Sequence, residues 1–454
     1  MKRLMLQLAV AAAMLSGGDA PGQAFDLQQA IDAAAPGDVI SVPPGVHRGM
    51  FSITKPLTLI GQDRPVLDAE GKGHVLRIAA ADVTIRGFTL RGTGETLDRE
   101  HAGVFGSGER LVIQDVIFDD VLFGVLLKNA PDSVIRDCVI GGKDIDVARR
   151  GDGIRLWQCA GTLIEGNLVT RGRDVVVWFS SDVTLRRNTV SDCRYGMHFM
   201  YTDNNVLEEN VLENNSVGAF LMYSRDLVLR RNVFSRNRGP SGYGLGLKDM
   251  ERIVAEENAF VANRVGAYLD NSPHAIGVYD DFARNVFAYN DIGLAFLPNV
   301  KRNRFTDNAF IENLQQVAVI GTGDFGGNDF TINGRGNYWS DYAGFDLNGD
   351  GLGDLPYEAA SLFDNLIERE PMMRLFLHSP AQQAIDLAAR AFPAVRPRPR
   401  FADAAPLMQP VRLEGLAARK AAPGAMAVVA LVLLGGAACV LLLTRTRNLE
   451  GAAS

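Results

Sequence analysis

The sequence predicts an all-β fold, a parallel β-helix with coils of about 22 residues, followed by a C-terminal transmembrane helix. An Asn-led phrase recurs at a nearly constant interval through the middle of the chain, and a charge-free apolar run of 19 residues stands near its C-terminus. A fixed period of this length, built from short strand-like runs, is typical of a solenoid whose repeats stack into one continuous core.

The repeated phrase is an Asn followed by a small or branched residue and then an apolar residue. The first four copies begin 21, 22 and 22 residues apart, and the next three follow at intervals of 26, 27 and 23 residues. Asn tolerates left-handed backbone and can hydrogen-bond its counterpart in a ladder, so we interpret these residues as structural turn positions. They are Asn167, Asn188, Asn210, Asn232, Asn258, Asn285 and Asn308.

The composition suits a turn-rich protein and argues against a nucleic-acid partner. Of the 454 residues, 47 are Gly, as expected where a turn recurs in every coil. The formal net charge is -7, and the sequence has no basic stripe interleaved with aromatic residues. We therefore expect no nucleic acid among the partners.

Both ends of the chain predict export and membrane attachment. Lys2 and Arg3 precede an apolar stretch from Leu4 to Leu15, a pattern typical of a secretory signal peptide. The apolar run 425–443 is long enough to span a bilayer, and the basic residues behind it place the short tail in the cytoplasm. We expect a periplasmic body anchored to the inner membrane by this helix.

These observations divide the chain into seven predicted segments. They are a signal peptide at 1–24, an N-terminal capping region at 25–65, the parallel β-helix at 66–335, a C-terminal cap with an Asp-rich loop at 336–392, a Pro/Arg-rich linker at 393–424, the transmembrane helix at 425–443 and a cytoplasmic tail at 444–454.

Cysteine usage permits at most one disulfide and indicates no particular pair. Cys138, Cys159 and Cys193 lie in the predicted exported body, and Cys439 lies in the predicted membrane span. Three exported cysteines permit at most one pair, and they occupy different points of the repeat. We expect each thiol to act as a small buried hydrophobic group.

The strand that begins at the Gly of each coil separates an interior face from an outward face. Side chains alternate along a strand, so the first and third residues after that Gly share one face. These positions are almost all aliphatic and predict the interior: Val125, Leu127, Ile154, Leu156, Val175, Val177, Ala219, Leu221, Leu245, Leu247, Ala267 and Leu269.

The outward positions of the same strands predict a binding surface. Eight of them carry large apolar or soft side chains on adjacent coils, and three charged residues flank these. Monomeric proteins rarely expose such a patch unless something binds there, and Trp, Tyr, Met and Arg are enriched at interfaces. The alternative is that a loop of the same chain covers the patch. Its residues are Arg155, Trp157, Val176, Trp178, His198, Met200, Phe220, Met222, Lys248, Tyr268 and Asp270.

Three residues of this patch form a candidate copper site. His198 and Met200 are two residues apart on one strand and share a face, while Met222 follows Met200 by 22 residues and should stack on it. Imidazole and thioether together suit copper, and thioether favours Cu(I). The alternative is an adaptable, Met-rich contact surface without a metal.

An Asp-rich loop near the end of the body forms a candidate calcium site. Asp346, Asn348, Asp350 and Asp354 fall at positions 1, 3, 5 and 9 of a calcium-binding loop. Position 12 is Tyr357 rather than Glu. The alternative is a turn held together by hydrogen bonds from its own backbone.

Two blocks of the sequence are distinctive. The first is 194–204, Arg-Tyr-Gly-Met-His-Phe-Met-Tyr-Thr-Asp-Asn. The second is 337–342, Asn-Tyr-Trp-Ser-Asp-Tyr, followed by a Gly- and Asp-rich stretch at 344–357. Both blocks resemble the NosD family, the exported β-helix proteins of nitrous oxide reductase maturation. With the repeats, the resemblance covers roughly residues 25 to 400.

The resemblance implies a right-handed β-helix of the carbohydrate-binding and sugar-hydrolase-like (CASH) type. It also implies a periplasmic protein that works with an ABC ATPase and a membrane permease. Such proteins help to deliver copper from a small periplasmic copper-binding lipoprotein into apo nitrous oxide reductase. The chain has no Gly-x-x-x-x-Gly-Lys-[Ser/Thr] motif, so a partner would hydrolyse ATP. We expect a scaffold that is not itself an enzyme.

A second function class remains open on the residues alone. A carbohydrate-active β-helix, such as a lyase, hydrolase or uronan epimerase, needs acids, bases and cations on adjacent outward positions. Asp152, Arg155, Lys248 and Asp270 are available for that chemistry. A passive surface adhesin is a third possibility, and the predicted inner-membrane anchor argues against it.

Overall fold

The computed structural model describes residues 25–298, 300–321, 326–359, 366, 370–376, 379–391 and 401–413. The chain divides into two compact units, Met1–Val411 and Arg412–Ser454, and every element named below belongs to the first. The predicted signal peptide, transmembrane helix and cytoplasmic tail lie outside the described residues. Within the described part of the chain, no helix is long and apolar enough to cross a membrane.

Three parallel sheets run the length of a right-handed solenoid, and each coil contributes one strand to each sheet. The first sheet contains β1 (Val39–Val42), β4 (Thr58–Gly61), β7 (Thr84–Arg86), β10 (Val112–Gln114), β13 (Val134–Arg136), β16 (Leu163–Glu165), β19 (Thr184–Arg186), β22 (Val206–Glu208), β25 (Val228–Arg230), β28 (Val254–Glu256), β31 (Asp280–Ala283) and β34 (Asn303–Thr306). The second contains β2 (Val46–Arg48), β5 (Val66–Asp68), β8 (Thr89–Arg91), β11 (Ile117–Val121), β14 (Val139–Gly142), β17 (Leu168–Thr170), β20 (Thr189–Ser191), β23 (Val211–Glu213), β26 (Val233–Ser235), β29 (Ala259–Val261), β32 (Val286–Ala288), β35 (Ala309–Ile311) and β37 (Tyr338–Trp339).

The third sheet carries the candidate site. It contains β3 (Phe51–Ile53), β6 (Leu76–Ile78), β9 (Ala102–Gly106), β12 (Phe123–Lys128), β15 (Ile154–Trp157), β18 (Asp174–Trp178), β21 (Tyr195–Met200), β24 (Val217–Met222), β27 (Tyr243–Lys248), β30 (Val265–Asp270), β33 (Ile292–Phe296) and β36 (Gln315–Val319).

A few elements lie outside the three sheets. They are the helices α1 (Leu27–Ala33) and α2 (Pro380–Ala391), the short 3-10 helices Leu97–Arg99, Val147–Arg149 and Pro371–Phe376, and the antiparallel pair of β38 (Tyr357–Glu358) and β39 (Ala402–Asp403).

The predicted interior is confirmed, because all twelve aliphatic residues assigned to it lie in one continuous buried core. The apolar residue of each Asn-led phrase also points inward. In the later coils these residues form a stack of rings, with centroids 4.9 Å apart between Phe234 and Phe260 and 4.7 Å apart between Phe260 and Phe287. Each buried Phe contributes roughly 1.5–3 kcal/mol of hydrophobic stabilisation. The residues that recur along the sequence are therefore also residues that stabilise the core.

The repeated Asn residues form a buried hydrogen-bonded ladder, as predicted. The side chain of Asn188 donates to that of Asn210 at 3.0 Å, and Asn210 donates to Asn232 at 2.9 Å. The left-handed backbone expected at Asn occurs instead one residue earlier, with φ of 54° at Arg187 and 56° at Glu209. The exposed residue turns the corner with its side chain in solvent, so the Asn behind it points inward and aligns its amide with the next coil.

Both ends of the solenoid are covered, and the cysteines are free. Asp26 caps α1 by accepting a hydrogen bond from the Gln29 amide at 3.0 Å. At the other end, the Asp403 carboxylate accepts from the Asn337 backbone at 2.7 Å and from the Trp339 indole at 2.9 Å, which ends the Asn ladder. The described thiols, Cys138, Cys159 and Cys193, are buried, as expected, and they are free.

Candidate functional site

The outward face of the third sheet brings the predicted patch together in two columns. The inner column is Arg155, Val176, His198, Phe220, Gly246 and Tyr268, which pair in register from β15 to β30. The outer column is Trp157, Trp178, Met200, Met222, Lys248 and Asp270, paired in the same way. All eleven predicted residues therefore occupy adjacent positions on one surface.

The inner column is more closed than an exposed patch would be. Val176 is 1% exposed and His198 is 7% exposed, whereas the other predicted residues are half-buried. Two tyrosines at the strand starts cover this column. The ring of Tyr195 lies 5.1 Å from that of His198, and the ring of Tyr243 lies 4.3 Å from that of Tyr268. Sequence reasoning omitted these tyrosines because they precede the Gly on which the strands were aligned.

Two loops cover part of the same face at the coils before Trp157. Leu97 and Ile145 pack against a small apolar cluster that contains Leu126, the residue below Arg155 in the inner column. Glu100, which lies in the same loop as Leu97, forms ion pairs with Lys128 and Arg155. The covering therefore lies on the coils that precede the patch, and it reaches the patch at Arg155.

A third column of aromatic residues borders the outer column, and the sequence analysis did not include it. Phe179, Tyr201 and Tyr223 stack with ring centroids 5.3 and 5.1 Å apart and planes 12° apart. Phe179 and Tyr201 are 44% and 50% exposed. A usable signal was present, because each of the three residues directly follows an outer-column residue at intervals of 22.

A buried charge network lies beneath the aromatic surface and centres on Asp174. Its carboxylate accepts hydrogen bonds from Arg194 Nε at 3.0 Å, from the Tyr195 backbone at 3.2 Å and from His198 Nδ1 at 3.1 Å. Burial by itself raises the pKa of Asp174, but the hydrogen bonds and charges of His198 and Arg194 outweigh it and lower the pKa overall. Asp174 and Arg194 were missed because a lone Asp at a Gly position has no motif.

A second buried carboxylate lies one coil earlier. Asp152 accepts from Arg155 Nε at 2.5 Å, and Arg155 also binds Glu100 at 2.7 Å. Burial raises the pKa of Asp152 to about 6, against the opposing effect of Arg155. Of the four residues considered for carbohydrate chemistry, Asp152 and Arg155 are thus engaged with each other.

The donor set of the candidate copper site fits a soft metal ion. His198 Nε2 is buried without a hydrogen-bond partner, and so is the Nε1 of Trp178 beside it. Met200 continues the strand of His198 on the same face, and Met222 pairs with Met200 on the next strand. Among the described residues, no group of three or more His, Cys, Asp or Glu could hold a metal, so any metal here would rely on thioether sulfur.

The Asp-rich loop forms a tight hydrogen-bonded turn. The Asp346 carboxylate accepts from the backbone N–H groups of Gly349 at 2.7 Å and Gly351 at 2.9 Å. Asp354 accepts from the Leu347 backbone at 2.7 Å, and Asp350 accepts from the Leu352 backbone at 2.8 Å. These bonds match the alternative given above, a turn held together by hydrogen bonds from its own backbone. Calcium binding stays a prediction.

Comparison with known proteins places the chain in a family. The model of the NosD family, described as a periplasmic copper-binding protein, matches residues 137–344. The probable ABC transporter binding protein NosD of Stutzerimonas stutzeri is 30% identical over 386 residues, which is 81% of this chain and 86% of the relative. The protein of the same name from Pseudomonas aeruginosa is 32% identical over 381 residues, which is 81% of this chain and 88% of the relative. This chain belongs to the NosD family.

The NosD match coincides with the candidate site. The matched residues contain both columns of the patch, the stacked aromatic column and the Asp174 network, and they end before the Asp-rich loop. Among solved structures, the A-module of the Azotobacter vinelandii mannuronan C-5 epimerase AlgE6 is similar, with a TM-score of 0.51 at 16% identity. It covers 67% of this chain and 92% of that module, and at this identity the likeness shows the shared fold alone.

Proposed function

We propose that this protein is a periplasmic scaffold of an ABC-type copper-maturation system. It docks a copper-binding lipoprotein and apo nitrous oxide reductase on the outward face of the third sheet. An ABC ATPase, which acts with a membrane permease, hydrolyses ATP. In this proposal residues 1–24 are a cleaved signal, and 425–443 anchor the body to the inner membrane. The protein itself catalyses no reaction.

One observation carries this proposal. Two thioethers, Met200 and Met222, pair on neighbouring strands beside a buried His198 whose Nε2 has no partner. Residues two apart on a strand are separated by about 7 Å, and neighbouring strands by about 4.8 Å. The long, flexible Met side chains can cover these distances, so the three donors can converge on one Cu(I) ion. Copper is the cargo of the scaffold in this account.

The surrounding surface supports protein docking. Trp157 and Trp178 of the outer column and the stacked aromatic column beside them place aromatic side chains in two neighbouring columns across consecutive coils. Trp and Tyr are enriched at the energetic centres of protein interfaces.

Ring geometry weighs against the carbohydrate-active alternative. Phe179, Tyr201 and Tyr223 stack on one another, so both faces of Tyr201 and one face of each neighbouring ring are occupied. A sugar ring therefore cannot pack on the face of the central ring without breaking the stack. We expect the purified protein not to turn over polyuronates or pectins. Turnover of either substrate would support the carbohydrate-active enzyme hypothesis instead.

Copper binding tests the metal part of the proposal. A Met200→Leu, Met222→Leu double variant keeps side-chain volume and removes both thioethers, so we expect Cu(I) affinity to fall at least tenfold in a chelator competition. Met50 is 58% exposed and lies on another part of the solenoid, so Met50→Leu is the matched control. Unchanged Cu(I) affinity in the double variant would overturn the ligand assignment.

Docking is tested separately with the apo-reductase and the lipoprotein as immobilised partners. Trp157→Glu and Tyr201→Glu should each reduce binding of at least one partner by tenfold or more. Tyr289 is also exposed, at 61%, and also has left-handed backbone, with φ of 58°, but it follows β32 of the second sheet. Tyr289→Glu should therefore bind both partners normally. If Trp157→Glu and Tyr201→Glu bind both partners as well as Tyr289→Glu does, this face is not the docking surface.

A further inference from the structure

Asp174 occupies a position that other coils fill with Gly, and it lies at a break in strand register. Gly153, Gly196, Gly218, Gly244 and Gly266 begin the equivalent runs. Between β18 and β21, Asp174 pairs with Tyr195 whereas Val176 pairs with His198, so one extra residue is inserted. Such bulges re-aim a side chain. Here the bulge brings a buried carboxylate against the ring of His198.

Both oxygens of this carboxylate are occupied by donors. Oδ1 accepts from Arg194 Nε and the Tyr195 backbone, and Oδ2 accepts from Arg194 Nη2 and His198 Nδ1. The two-point contact with Arg194 favours the ionised carboxylate, which can accept hydrogen bonds but cannot donate them. The proton shared with His198 must therefore sit on Nδ1. In the neutral imidazole, Nε2 then carries a lone pair and no hydrogen.

The free lone pair of Nε2 is enclosed rather than solvated. The rings of Trp178 and Tyr195 stand edge to face around His198, with centroids 5.4 and 5.1 Å away and planes at 87° and 85°. A buried nitrogen without a partner is costly, and such atoms usually mark an ion or an ordered water. A histidine that binds metal commonly donates its other N–H to a carboxylate, which is the arrangement seen here.

We infer that Asp174, held by Arg194, is a positioning residue that presents Nε2 of His198 to Cu(I) alongside Met200 and Met222. The identity of the metal rests on the proposed function, whereas the orientation of the imidazole does not. The two parts can therefore fail separately.

The orientation is tested without copper. The chain has six histidines, so selective ¹⁵N labelling and a long-range ¹H–¹⁵N correlation resolve the His198 tautomer, with His198→Gln identifying its signals. We expect Nδ1 protonated and Nε2 unprotonated in the wild type, and a mixed population in Asp174→Asn. A protonated Nε2 in the wild type would overturn the inference.

Copper provides the second readout. By analogy with outer-shell residues at other metal sites, Asp174→Asn should weaken Cu(I) binding about 10- to 100-fold. X-ray absorption should show loss of the nitrogen neighbour with both sulfurs kept. Asp174→Glu should recover part of the affinity. Asp280→Asn, a buried carboxylate in the first sheet, is the control and should bind Cu(I) normally.

A third variant guards against misfolding. Arg194→Gln leaves the Asp174 carboxylate in place and removes the guanidinium that holds it, so it should weaken Cu(I) binding less than Asp174→Asn does. Cooperative unfolding of both variants would show that they are folded. If His198→Gln lowers Cu(I) affinity and Asp174→Asn does not, the positioning role is wrong and the copper site stands. If the wild type has the expected tautomer and binds no Cu(I), the copper proposal fails and a bridging water explains both unpartnered nitrogens.

Discussion

Tyr201 stacks on Phe179 with ring centroids 5.3 Å apart, although both residues have left-handed backbone with φ of 53° and 52°. Left-handed backbone disfavours bulky side chains by roughly 1–2 kcal/mol per residue. Elsewhere along the same row the residues are polar and tolerate it, as at Asn129 and Asn271. In the proposed docking role, these strained and exposed aromatic residues on consecutive coils serve binding rather than stability.

Replacing Tyr201 should therefore separate stability from docking. Tyr201→Asn relieves backbone strain and loses ring stacking worth roughly 0.5–1.5 kcal/mol, so the free energy of unfolding should change by less than about 1 kcal/mol. Binding of the apo-reductase or of the copper-binding lipoprotein should fall tenfold or more. Urea unfolding and a direct binding assay measure the two effects, with Tyr289→Asn as the control. A large stability loss with intact binding would make the stack purely structural.

Asp280 should make stability depend on pH near neutrality. Its Oδ1 accepts from the Ile253 backbone at 2.9 Å, while its Oδ2 and the Oδ1 of the paired Asn303 are buried without partners. Burial raises the pKa of Asp280 to about 7 from an ordinary value of 3.8. A proton on Oδ2 would let it donate to the next rung, as the Asn amides do. The fold therefore favours the protonated acid.

The sign of this effect follows from the raised pKa. The stabilising contribution is complete below pH 3.8, declines as pH rises, and is gone above pH 7. Asp280→Asn carries the needed hydrogen permanently, so its advantage over the wild type should grow across this window to at most about 4 kcal/mol. Melting temperatures at pH 4.5, 6 and 8 measure it. A difference between Asp280→Asn and the wild type that stays constant across these pH values would contradict the buried acid.

A central rung of the Asn ladder should be costly to remove. Asn210 donates to the Leu185 carbonyl and to Asn232, and it accepts from the backbone and side chain of Asn188, all at 2.9–3.0 Å. Asn210→Ala leaves several buried polar groups unpaired, so we expect a loss of roughly 3–5 kcal/mol in the free energy of unfolding. Urea titration measures it. A loss below about 1 kcal/mol would mean that water enters the ladder.

Calcium should raise the melting temperature if the Asp-rich loop binds it. The protein stripped with a chelator should melt at a lower temperature than the protein in millimolar Ca²⁺, because a ligand bound only by the folded state stabilises it. Asp346→Asn should abolish the difference. Equal melting temperatures in both conditions would show that the carboxylates serve only the turn seen at Gly349 and Gly351.

The sequence by itself determined the solenoid, its interior and the two columns of the patch. The coil length fixes which residues stack, and strand alternation fixes which of them face outward, so Met200 could be paired with Met222 by arithmetic alone. The Asn ladder followed from the same period, because one amide per coil can bond to the next.

Only the tertiary structure decided what lies around those columns. The bulge at Asp174, the turn of Tyr195 over His198 and the covering of Leu126 by Leu97 depend on local breaks in the repeat. Periodicity predicts what recurs in every coil, whereas a site that occurs once is built where the period is interrupted and distant side chains pack together. For that reason the sequence located the candidate copper ligands, and the structure supplied the carboxylate that orients one of them.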